Sequence, residues 1–167
     1  MPASRQELFS LFEKLGINAK TQEHAPVFTV EEAKKVHDGI AGGHCKNLFC
    51  KDEKGVLWLI VALEDSIINL KTAPLKIGSK RLTFGKPELL MEVLGVEPGS
   101  VTPFGLINDR PARTNVILDQ HMMSHAWLNF HPLQNNATTT IAATDLVTFI
   151  TACGHQPRIV PVSEPLP

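Results

Sequence analysis

Four side chains that can take part in chemistry stand side by side at His44, Cys45, Lys46 and Asn47. A catalytic thiolate at Cys45 would need a pKa lowered by a helix N-terminus, a cation or an adjacent histidine. In a strand, however, alternation sends His44 and Lys46 to the face opposite Cys45. Cysteine is also among the residue types most often found buried. We therefore predict that Cys45 packs in the core, with a thiol nucleophile as the alternative.

His121 and His125 have the spacing of two metal ligands on one helical face, and Asp119 is close to them in sequence. The residues between the two histidines include no glutamate that could act as the general base of a metalloprotease. A third ligand would have to come from elsewhere in the chain. The three cysteines show no C-x-x-C spacing. We therefore expect an exposed polar turn at 121–125, no metal site and no cofactor.

Two further segments combine polar groups with a restricted backbone. The loop 99–103, "GSVTP", joins a permissive glycine to a rigid proline, and its backbone could offer N–H groups to a carbonyl or an oxyanion. A plain turn is the alternative. His131 precedes Pro132 at the end of an apolar run, where it could form a hydrogen bond or relay a proton. The residues that follow fit either a polar pocket or a turn before a strand; they are Asn135, Asn136, Thr138, Thr139 and Thr140.

The composition is that of an ordinary globular domain. The 167 residues are 43% hydrophobic and 20% charged, with a formal net charge of −1, which excludes disordered and fibrous classes. We predict a single domain over 1–167, with its core at roughly 5–162. The basic residues between His44 and Lys86 outnumber the acidic ones by eight to four, which suits a phosphate-bearing ligand or, alternatively, a set of solvated lysines. The eight are Lys46, Lys51, Lys54, Lys71, Lys76, Lys80, Arg81 and Lys86.

Signal peptides and membrane spans have recognisable apolar patterns. The first residues lack the uninterrupted apolar core of a signal peptide, and no stretch approaches the length of a membrane span. We therefore expect a cytoplasmic protein with reduced thiols and no membrane partner. No fingerprint for nucleotide hydrolysis or dinucleotide binding is present in the sequence.

The elements that must position these residues follow from periodicity and capping signals. Ser4 and Glu7 form a capping box before a helical pattern that ends at Gly16. The segment 44–65 is the strongest hairpin, with apolar runs on both sides of a charged turn. The other predicted helices are 29–36, 86–95 and 144–154; the other predicted strands are 21–29, 114–120, 126–132, 135–143 and 156–162, and 98–108 is predicted as a loop entering a strand. This order predicts an α/β domain of the α+β type, with a central mixed, mainly antiparallel sheet and flanking helices.

Taken in order, these motifs resemble a known family, the YbaK/ProX-type aminoacyl-tRNA deacylases. Its members are free-standing relatives of the editing domain of bacterial prolyl-tRNA synthetases. The resemblance rests on "HAPVFTVEEA" at 24–33, "CKNLF" at 45–49, "GSVTPFGLIND" at 99–109 and "NFHPLQNNATTTIAATDL" at 129–146. The G-x-x-x-P loop and the Lys-Asn pair in a strand are marks of the family, and the His-Pro-Leu run before Ala-Thr-Thr is similar to the ProX branch.

The resemblance implies a pocket that holds the 3′-terminal aminoacyl-adenosine of a tRNA. In this pocket the ester bond that links a wrong amino acid to the tRNA would be hydrolysed without a metal. For the ProX branch the implied substrate is alanine on proline tRNA, with cysteine or other small residues in sister branches. The implied partners are the tRNA 3′ end and prolyl-tRNA synthetase, and DNA is not among them. Such editing is physically reasonable, because alanine in a synthetase site built for proline forfeits only about 1–3 kcal/mol of apolar contact. The synthetase site alone therefore cannot exclude alanine, and a second, smaller pocket is needed to remove it.

The resemblance also implies roles for the strand residues and for the histidine. Lys46 would hold the terminal phosphate or stabilise charge at the ester, and Asn47 would orient the substrate through hydrogen bonds. His131 would lie beside the pocket in a catalytic or a structural role. Because alternation points Lys46 and Asn47 to opposite faces, both can serve only if the strand bends or Lys46 reaches round an edge.

The loop is the third implied part of the site. Its backbone would face the scissile carbonyl, with Gly99 and Pro103 at its ends. The substrate-binding residues between them would be Ser100, Val101 and Thr102.

Two other classes of function stay open at this stage. A binding module of the same fold would hold tRNA or a nucleotide without turnover, and it would show salt-dependent tRNA binding with no deacylation. A thiol or metal enzyme would lose its activity on Cys45→Ala or on chelation.

Overall fold

The computed structural model describes residues 1–27 and 29–165. Within these ranges it has five α-helices and eight β-strands. The helices are α1 (Arg5–Lys14), α2 (Val30–Asp38), α3 (Ala73–Ile77), α4 (Pro87–Leu94) and α5 (Ala143–Ala152). The strands are β1 (Lys20–Glu23), β2 (Gly43–Asp52), β3 (Leu57–Leu63), β4 (Leu82–Phe84), β5 (Thr114–Asp119), β6 (Trp127–Phe130), β7 (Ala137–Ala142) and β8 (Arg158–Val160). Short 3₁₀ helices cover Pro98–Ser100, Pro103–Asn108 and Met122–Ser124.

The strands form one mixed sheet in the order β1-β7-β6-β2-β3-β5-β8, and β4 pairs with β2. The pairs β1–β7, β6–β7, β2–β3 and β2–β4 are antiparallel. The pairs β2–β6, β3–β5 and β5–β8 are parallel. The described residues therefore confirm the predicted mixed, mainly antiparallel sheet with flanking helices.

Strand β2 has an uncovered stretch in the middle of one edge. Its other edge pairs with β3 from Cys45 to Lys51. The uncovered edge pairs with β6 only at Gly43 and His44, and with β4 only from Cys50 onward. The sheet therefore opens along residues 45–49 of β2, which are the residues of the predicted "CKNLF" motif.

Apolar side chains pack on both faces of the sheet. The larger cluster joins one face to α1, α4 and α5, and it includes Phe49, Leu59 and Phe104. The smaller cluster lies on the other face against α3, and it includes Cys50 and Trp58. Alternation therefore sends the odd-numbered residues of β2 to the larger cluster and the even-numbered residues to the smaller one.

Several predicted element ends are confirmed in detail. The side chain of Ser4 accepts from the Glu7 amide and Glu7 bonds back, which completes the capping box of α1. Gly95 ends α4 in the left-handed conformation, with φ 67°, as expected for a C-cap glycine. The hairpin of β2 and β3 has the predicted turn at Gly55, whose φ is 81°.

Two expectations for the elements were wrong, and two short elements were not predicted. The segment 98–108 forms two 3₁₀ helices and enters no strand, because Pro98 and Pro103 lack the N–H that a ladder needs and suit the first turn of a helix. The strand predicted at 21–29 is only Lys20–Glu23 among the described residues, and Phe28 lies outside them. The short elements α3 and β4 were not predicted, because three to five residues carry too little periodicity.

Candidate active site

Asn47 lies in the opening of β2 and faces a small cavity. The cavity has a volume of about 270 Å³ and is lined by Asn47, Phe49, Phe84, Gly85, Pro87, Leu90, Pro98 and Val101. Most of these side chains are apolar. The Oδ1 atom of Asn47 is buried and has no hydrogen-bond partner among the described residues. Because a buried carbonyl oxygen without a donor is costly, this atom is a ready acceptor for a ligand N–H or O–H group. We call this space the Asn47 cavity.

The loop 98–103 separates the Asn47 cavity from a second one. Val101 lines the Asn47 cavity, whereas Ser100 lines a neighbouring cavity of about 370 Å³ that also contains Asn135 and Asn136. Thr102 is fully buried, and its hydroxyl accepts from the Phe104 amide at 3.2 Å. The structure thus brings Val101 beside Asn47, whereas the buried side chain of Thr102 acts within the loop itself.

Gly99 and Pro103 occupy the ends of this loop in different environments. Pro103 is buried at the start of a 3₁₀ helix. Gly99 is exposed, its φ lies outside the left-handed region, and an added Cβ would meet only Asn135 Nδ2, at 3.5 Å. Neither backbone conformation nor packing therefore demands glycine at position 99. A glycine there leaves room for a ligand to approach the backbone closely.

The His131 imidazole is held in one tautomer. Its Nδ1 lies 3.1 Å from the Ala137 carbonyl oxygen, and since a carbonyl only accepts, Nδ1 carries the proton and Nε2 keeps its lone pair. Burial lowers the pKa of His131, and the charges of His24 and His37 lower it further, although the hydrogen bond to Ala137 raises it. His131 is therefore a neutral hydrogen-bond acceptor at pH 7.

The backbone turns sharply after His131. The Leu133 amide donates to the His131 carbonyl oxygen at 3.0 Å, and Leu133 itself has φ 72°, which is uncommon for a residue with a bulky side chain. The Leu133 side chain is nevertheless buried in the larger cluster. Packing thus holds a strained backbone next to His131, a pattern that recurs at functional sites.

Lys46 lies on the other face of β2 from Asn47. It pairs with Ala62 of β3, and its Nζ donates to the Ser66 carbonyl oxygen. The structure therefore does not bring the lysine and the asparagine into the same cavity. The predicted role of Lys46 stays a prediction, and it requires the flexible side chain to exchange Ser66 for a ligand.

A pair of histidines tethers α2 to the sheet and was not foreseen from the sequence. The rings of His37 and His44 stack with centroids 4.0 Å apart and an angle of 14° between their planes. His37 Nδ1 also lies 3.0 Å from a carboxylate oxygen of Glu64, and His44 Nε2 donates to the Ile40 carbonyl oxygen at 3.0 Å. His37 lies in α2, His44 lies in β2 and Glu64 directly follows β3, so sequence spacing carries no signal for their meeting.

The surroundings of Cys45 and of the His121–His125 pair bear on the thiol and metal hypotheses. Cys45 packs against the larger cluster, and burial raises the pKa of its thiol to about 12, which leaves almost no thiolate at neutral pH. The rings of His121 and His125 are 5.8 Å apart at 82°. In the part of the chain that the structure describes, no three His, Cys, Asp or Glu side chains are grouped to hold a metal ion.

A helix that crosses a bilayer must be about 20 residues long and predominantly apolar. None of the helices in residues 1–27 and 29–165 is both long enough and apolar enough to cross a bilayer.

Comparison with known proteins now identifies the family. The aminoacyl-tRNA editing domain matches residues 24–149. The prolyl-tRNA editing protein ProX of Acetoanaerobium sticklandii is 35% identical over 153 residues, which cover 91% of this chain and 93% of that protein. The prolyl-tRNA synthetase associated domain-containing protein 1 of Xenopus laevis is 37% identical over 161 residues, covering 93% and 95%.

Solved structures support the fold. The hypothetical protein APE2540 superimposes with a TM-score of 0.73 at 20% identity, covering 96% of this chain and 100% of that one. A protein described as a candidate trans-editing enzyme for prolyl tRNA synthetase gives a TM-score of 0.71 at 21% identity, covering 99% of both. At such identities the likeness shows the fold alone, whereas the sequence matches confirm the predicted family. The chain belongs to the aminoacyl-tRNA editing domain family, in its ProX branch.

Proposed function

We propose that this protein is a trans-editing hydrolase that removes alanine from mischarged proline tRNA. Membership of the editing-domain family supports hydrolysis of an aminoacyl-tRNA ester, and the name of the A. sticklandii relative supports a prolyl-tRNA context. The observation that carries the proposal is the Asn47 cavity, which joins one unpartnered acceptor to a small apolar space.

The Asn47 cavity suits a small amino acid with a free amino group. The α-ammonium group is the strong donor of an aminoacyl ester, and Asn47 Oδ1 is a buried acceptor without a donor. Phe49, Leu90 and Val101 supply apolar walls around it. Such a pocket accepts a methyl side chain. We propose that its apolar walls also reject the proline ring, which is the second sieve that discrimination between alanine and proline requires.

The ester itself would lie between the loop and His131. The exposed backbone of Gly99 allows the scissile carbonyl to come close, and backbone N–H groups of the loop would stabilise its developing negative charge. His131 Nε2 would accept a hydrogen bond from the attacking water or from a ribose hydroxyl, since its other nitrogen is committed to Ala137. An aminoacyl ester is already activated, so we propose that positioned water suffices and that no metal takes part.

Lys46 would contribute charge from the neighbouring face. Its ammonium group is bonded to the Ser66 carbonyl, a neutral acceptor that a phosphate can replace. We propose that it holds the phosphate of the terminal nucleotide once the tRNA 3′ end lies across the opening of β2. The substrate partner is accordingly an aminoacylated tRNA, delivered by prolyl-tRNA synthetase in the cytoplasm.

A deacylation panel tests the function. Purified protein in EDTA should hydrolyse alanyl-tRNA(Pro) well above the uncatalysed rate and leave prolyl-tRNA(Pro) intact, with cysteinyl- and seryl-tRNA as further small substrates. Asn47→Ala should lower kcat/KM for alanyl-tRNA by about 10- to 100-fold, because a hydrogen bond to a charged group is lost. Its melting temperature should not fall, since Oδ1 has no protein partner to lose.

Exposed Asn18 supplies the matched control. Asn18→Ala should leave both the rate and the melting temperature unchanged. Deacylation at the uncatalysed rate across the whole panel would overturn the proposed activity. Equal rates for Asn47→Ala and wild type would leave the activity standing and remove Asn47 from substrate recognition.

Lys46 has its own test, which separates charge from structure. Lys46→Met keeps most of the apolar stem and removes the charge, so we expect most of the deacylation rate to be lost, and Lys46→Arg to retain part of it. Lys71→Met, at an exposed lysine, is the control. If Lys46→Met lowers the melting temperature but retains the deacylation rate, then Lys46 serves only to stabilise the fold through its hydrogen bond to Ser66.

A further inference from the structure

A buried carboxylate at the end of β5 lies outside both cavities of the candidate active site. Asp119 is the last residue of β5 and is fully buried. Its Oδ1 accepts from the backbone amides of Val162 and Ser163, at 3.1 and 3.0 Å. Its Oδ2 is buried and has no hydrogen-bond partner among the described residues. Since burying a carboxylate is unfavourable, the evident structural effect of Asp119 is to hold the chain at residues 162 and 163.

The held segment continues past the turn that follows β3. We call residues 161–165 the strap. The Glu164 amide donates to the Ile67 carbonyl oxygen at 2.8 Å. The Glu164 carboxylate accepts from the Thr72 hydroxyl at 3.0 Å and lies 3.3 Å from Lys76 Nζ. The strap therefore fastens the connection between β3 and α3 near both of its ends.

The same connection also receives the side chain of Lys46. The Lys46 Nζ atom donates to the Ser66 carbonyl oxygen, and Ser66 directly precedes Ile67. The Ser66 amide donates to the carbonyl oxygen of Leu63, the last residue of β3, at 3.0 Å. Ser66 and three residues of the strap line one cavity of about 440 Å³. The carbonyl group that fixes Lys46 is thus held between β3 on one side and the strap on the other.

We propose that Asp119 is a positioning residue, which holds the Lys46 ammonium group in place through the strap and Ser66. The catalytic consequence rests on the proposed function, in which a phosphate replaces the Ser66 carbonyl. Lysine carries its charge on a flexible stem, so an ammonium group without a fixed acceptor has to be ordered when substrate binds. Contacts that fix the ammonium group beforehand remove this entropic cost, because only its acceptor then changes.

The reactivity of the Lys46 amine tests the positioning without any ester. Acetic anhydride at a limiting concentration labels each lysine according to the freedom of its Nζ, and mass spectrometry gives the labelling ratio of Lys46 to exposed Lys14. Asp119→Ala removes both amide contacts and should raise this ratio by at least about threefold, because the strap and the turn open locally. Asp119→Asn keeps one acceptor oxygen for the two amides and should stay close to wild type.

Two further variants separate positioning from a general loss of stability. Leu8→Ala leaves a gap in the larger cluster at α1, on the other face of the sheet, and should leave the ratio unchanged below the melting transition. Glu164→Ala removes only the side-chain contacts of the strap at a partly exposed position, so it should fold and raise the ratio about twofold. Its control is Glu13→Ala, at an exposed position on α1.

Two labelling results would overturn the proposal. The first is a ratio for Asp119→Ala and Glu164→Ala equal to that of wild type, which would show that the strap does not fix Lys46. The second is a rise in Leu8→Ala as large as that in Asp119→Ala, which would show that any destabilised variant frees the lysine.

A double-mutant cycle on deacylation tests whether the positioning serves catalysis. Asp119→Ala should lower kcat/KM for alanyl-tRNA(Pro) by about tenfold, because a displaced ammonium group contributes less to the reaction. It should have no further effect on the residual rate of Lys46→Met, which lacks that group. Equal losses in both backgrounds would overturn the catalytic part of the proposal and leave Asp119 with a general structural role. If no ester is hydrolysed at all, the proposed function fails, while the labelling ratios still decide whether Asp119 positions Lys46.

Discussion

At the scale of single residues, the most informative group is the His131 imidazole. Its proton is fixed on Nδ1 by the Ala137 carbonyl, and burial together with the charges of His24 and His37 lowers its pKa. Burial and these charges favour a neutral ring, although the hydrogen bond to Ala137 opposes them, and the Nε2 atom of the neutral ring can accept a proton or a hydrogen bond. Cys45 shows the opposite situation, because burial raises its thiol pKa to about 12 and makes it unreactive.

The pH profile of deacylation should report the state of His131. Protonation removes the acceptor at Nε2, so the catalysed rate should stay level as the pH falls from 8 and should decline only below the usual histidine value of about 6.5. The uncatalysed rate must be subtracted at each pH. His121→Gln, at an exposed histidine, should show the same profile. A decline with a midpoint above 7 would contradict a lowered pKa for the essential group.

At the scale of elements, the Asn47 cavity is created by interrupted strand pairing. Strand β2 leaves β6 after His44 and meets β4 at Cys50, so the residues between them face an opening. Gly85 follows β4, and its amide donates to the Phe49 carbonyl oxygen at 2.8 Å. An added Cβ at Gly85 would lie 2.5 Å from the buried ring of Phe49. The glycine therefore fixes how closely β4 approaches a wall of the cavity.

Gly85→Ala should accordingly disturb both stability and activity. The Phe49 ring must move, which we expect to cost about 1–3 kcal/mol of unfolding free energy and to reduce deacylation of alanyl-tRNA. Combining the change with Phe49→Leu should recover part of the stability, because the clash is removed. Gly39→Ala is the control, since its Cβ would make only an ordinary contact, at 3.6 Å from the Val36 carbonyl oxygen. An unchanged melting temperature for Gly85→Ala would contradict the clash.

At the scale of the whole molecule, a buried hydrogen bond between Asp109 and His155 joins distant parts of the chain. Asp109 ends the 3₁₀ helix after the site loop, and its Oδ2 lies 2.9 Å from His155 Nε2, which follows α5. The carboxylate also accepts from the amides of Arg113 and Thr114. Burial by itself would raise the pKa of Asp109, but these hydrogen bonds outweigh it and lower the pKa to about 2.

Acid should therefore destabilise the fold through Asp109. A carboxyl group with a pKa of about 2 in the folded chain and about 3.8 when unfolded contributes roughly 2 kcal/mol above pH 4, and this is lost as the pH falls towards 2. Asp109→Asn should cost about 2–4 kcal/mol at pH 7, because an amide group replaces a buried carboxylate oxygen that accepts hydrogen bonds, and should flatten the decline of the melting temperature in acid. Asp65→Asn, at an exposed site, should change neither. A variant whose acid decline equals that of wild type would contradict the role of Asp109.

The sequence by itself determined the local elements and the family. Capping boxes, the hairpin pattern and the C-cap glycine follow from interactions between residues close in the chain, which is why α1, the β2–β3 hairpin and α4 were predictable. The motifs around Lys46, Asn47, the loop 99–103 and His131 were sufficient to indicate the editing-domain family before any geometry was known.

Only the tertiary structure decided how those motifs meet. Whether Asn47 faces Val101, whether Lys46 turns to Ser66, and whether His37 stacks on His44 depend on strand order and on pairing between segments far apart in sequence. The opening in β2 likewise exists because two different strands share one of its edges. Local propensity carries no information on such pairings, because their free energy comes from burial and from hydrogen bonds that form only when the whole sheet assembles.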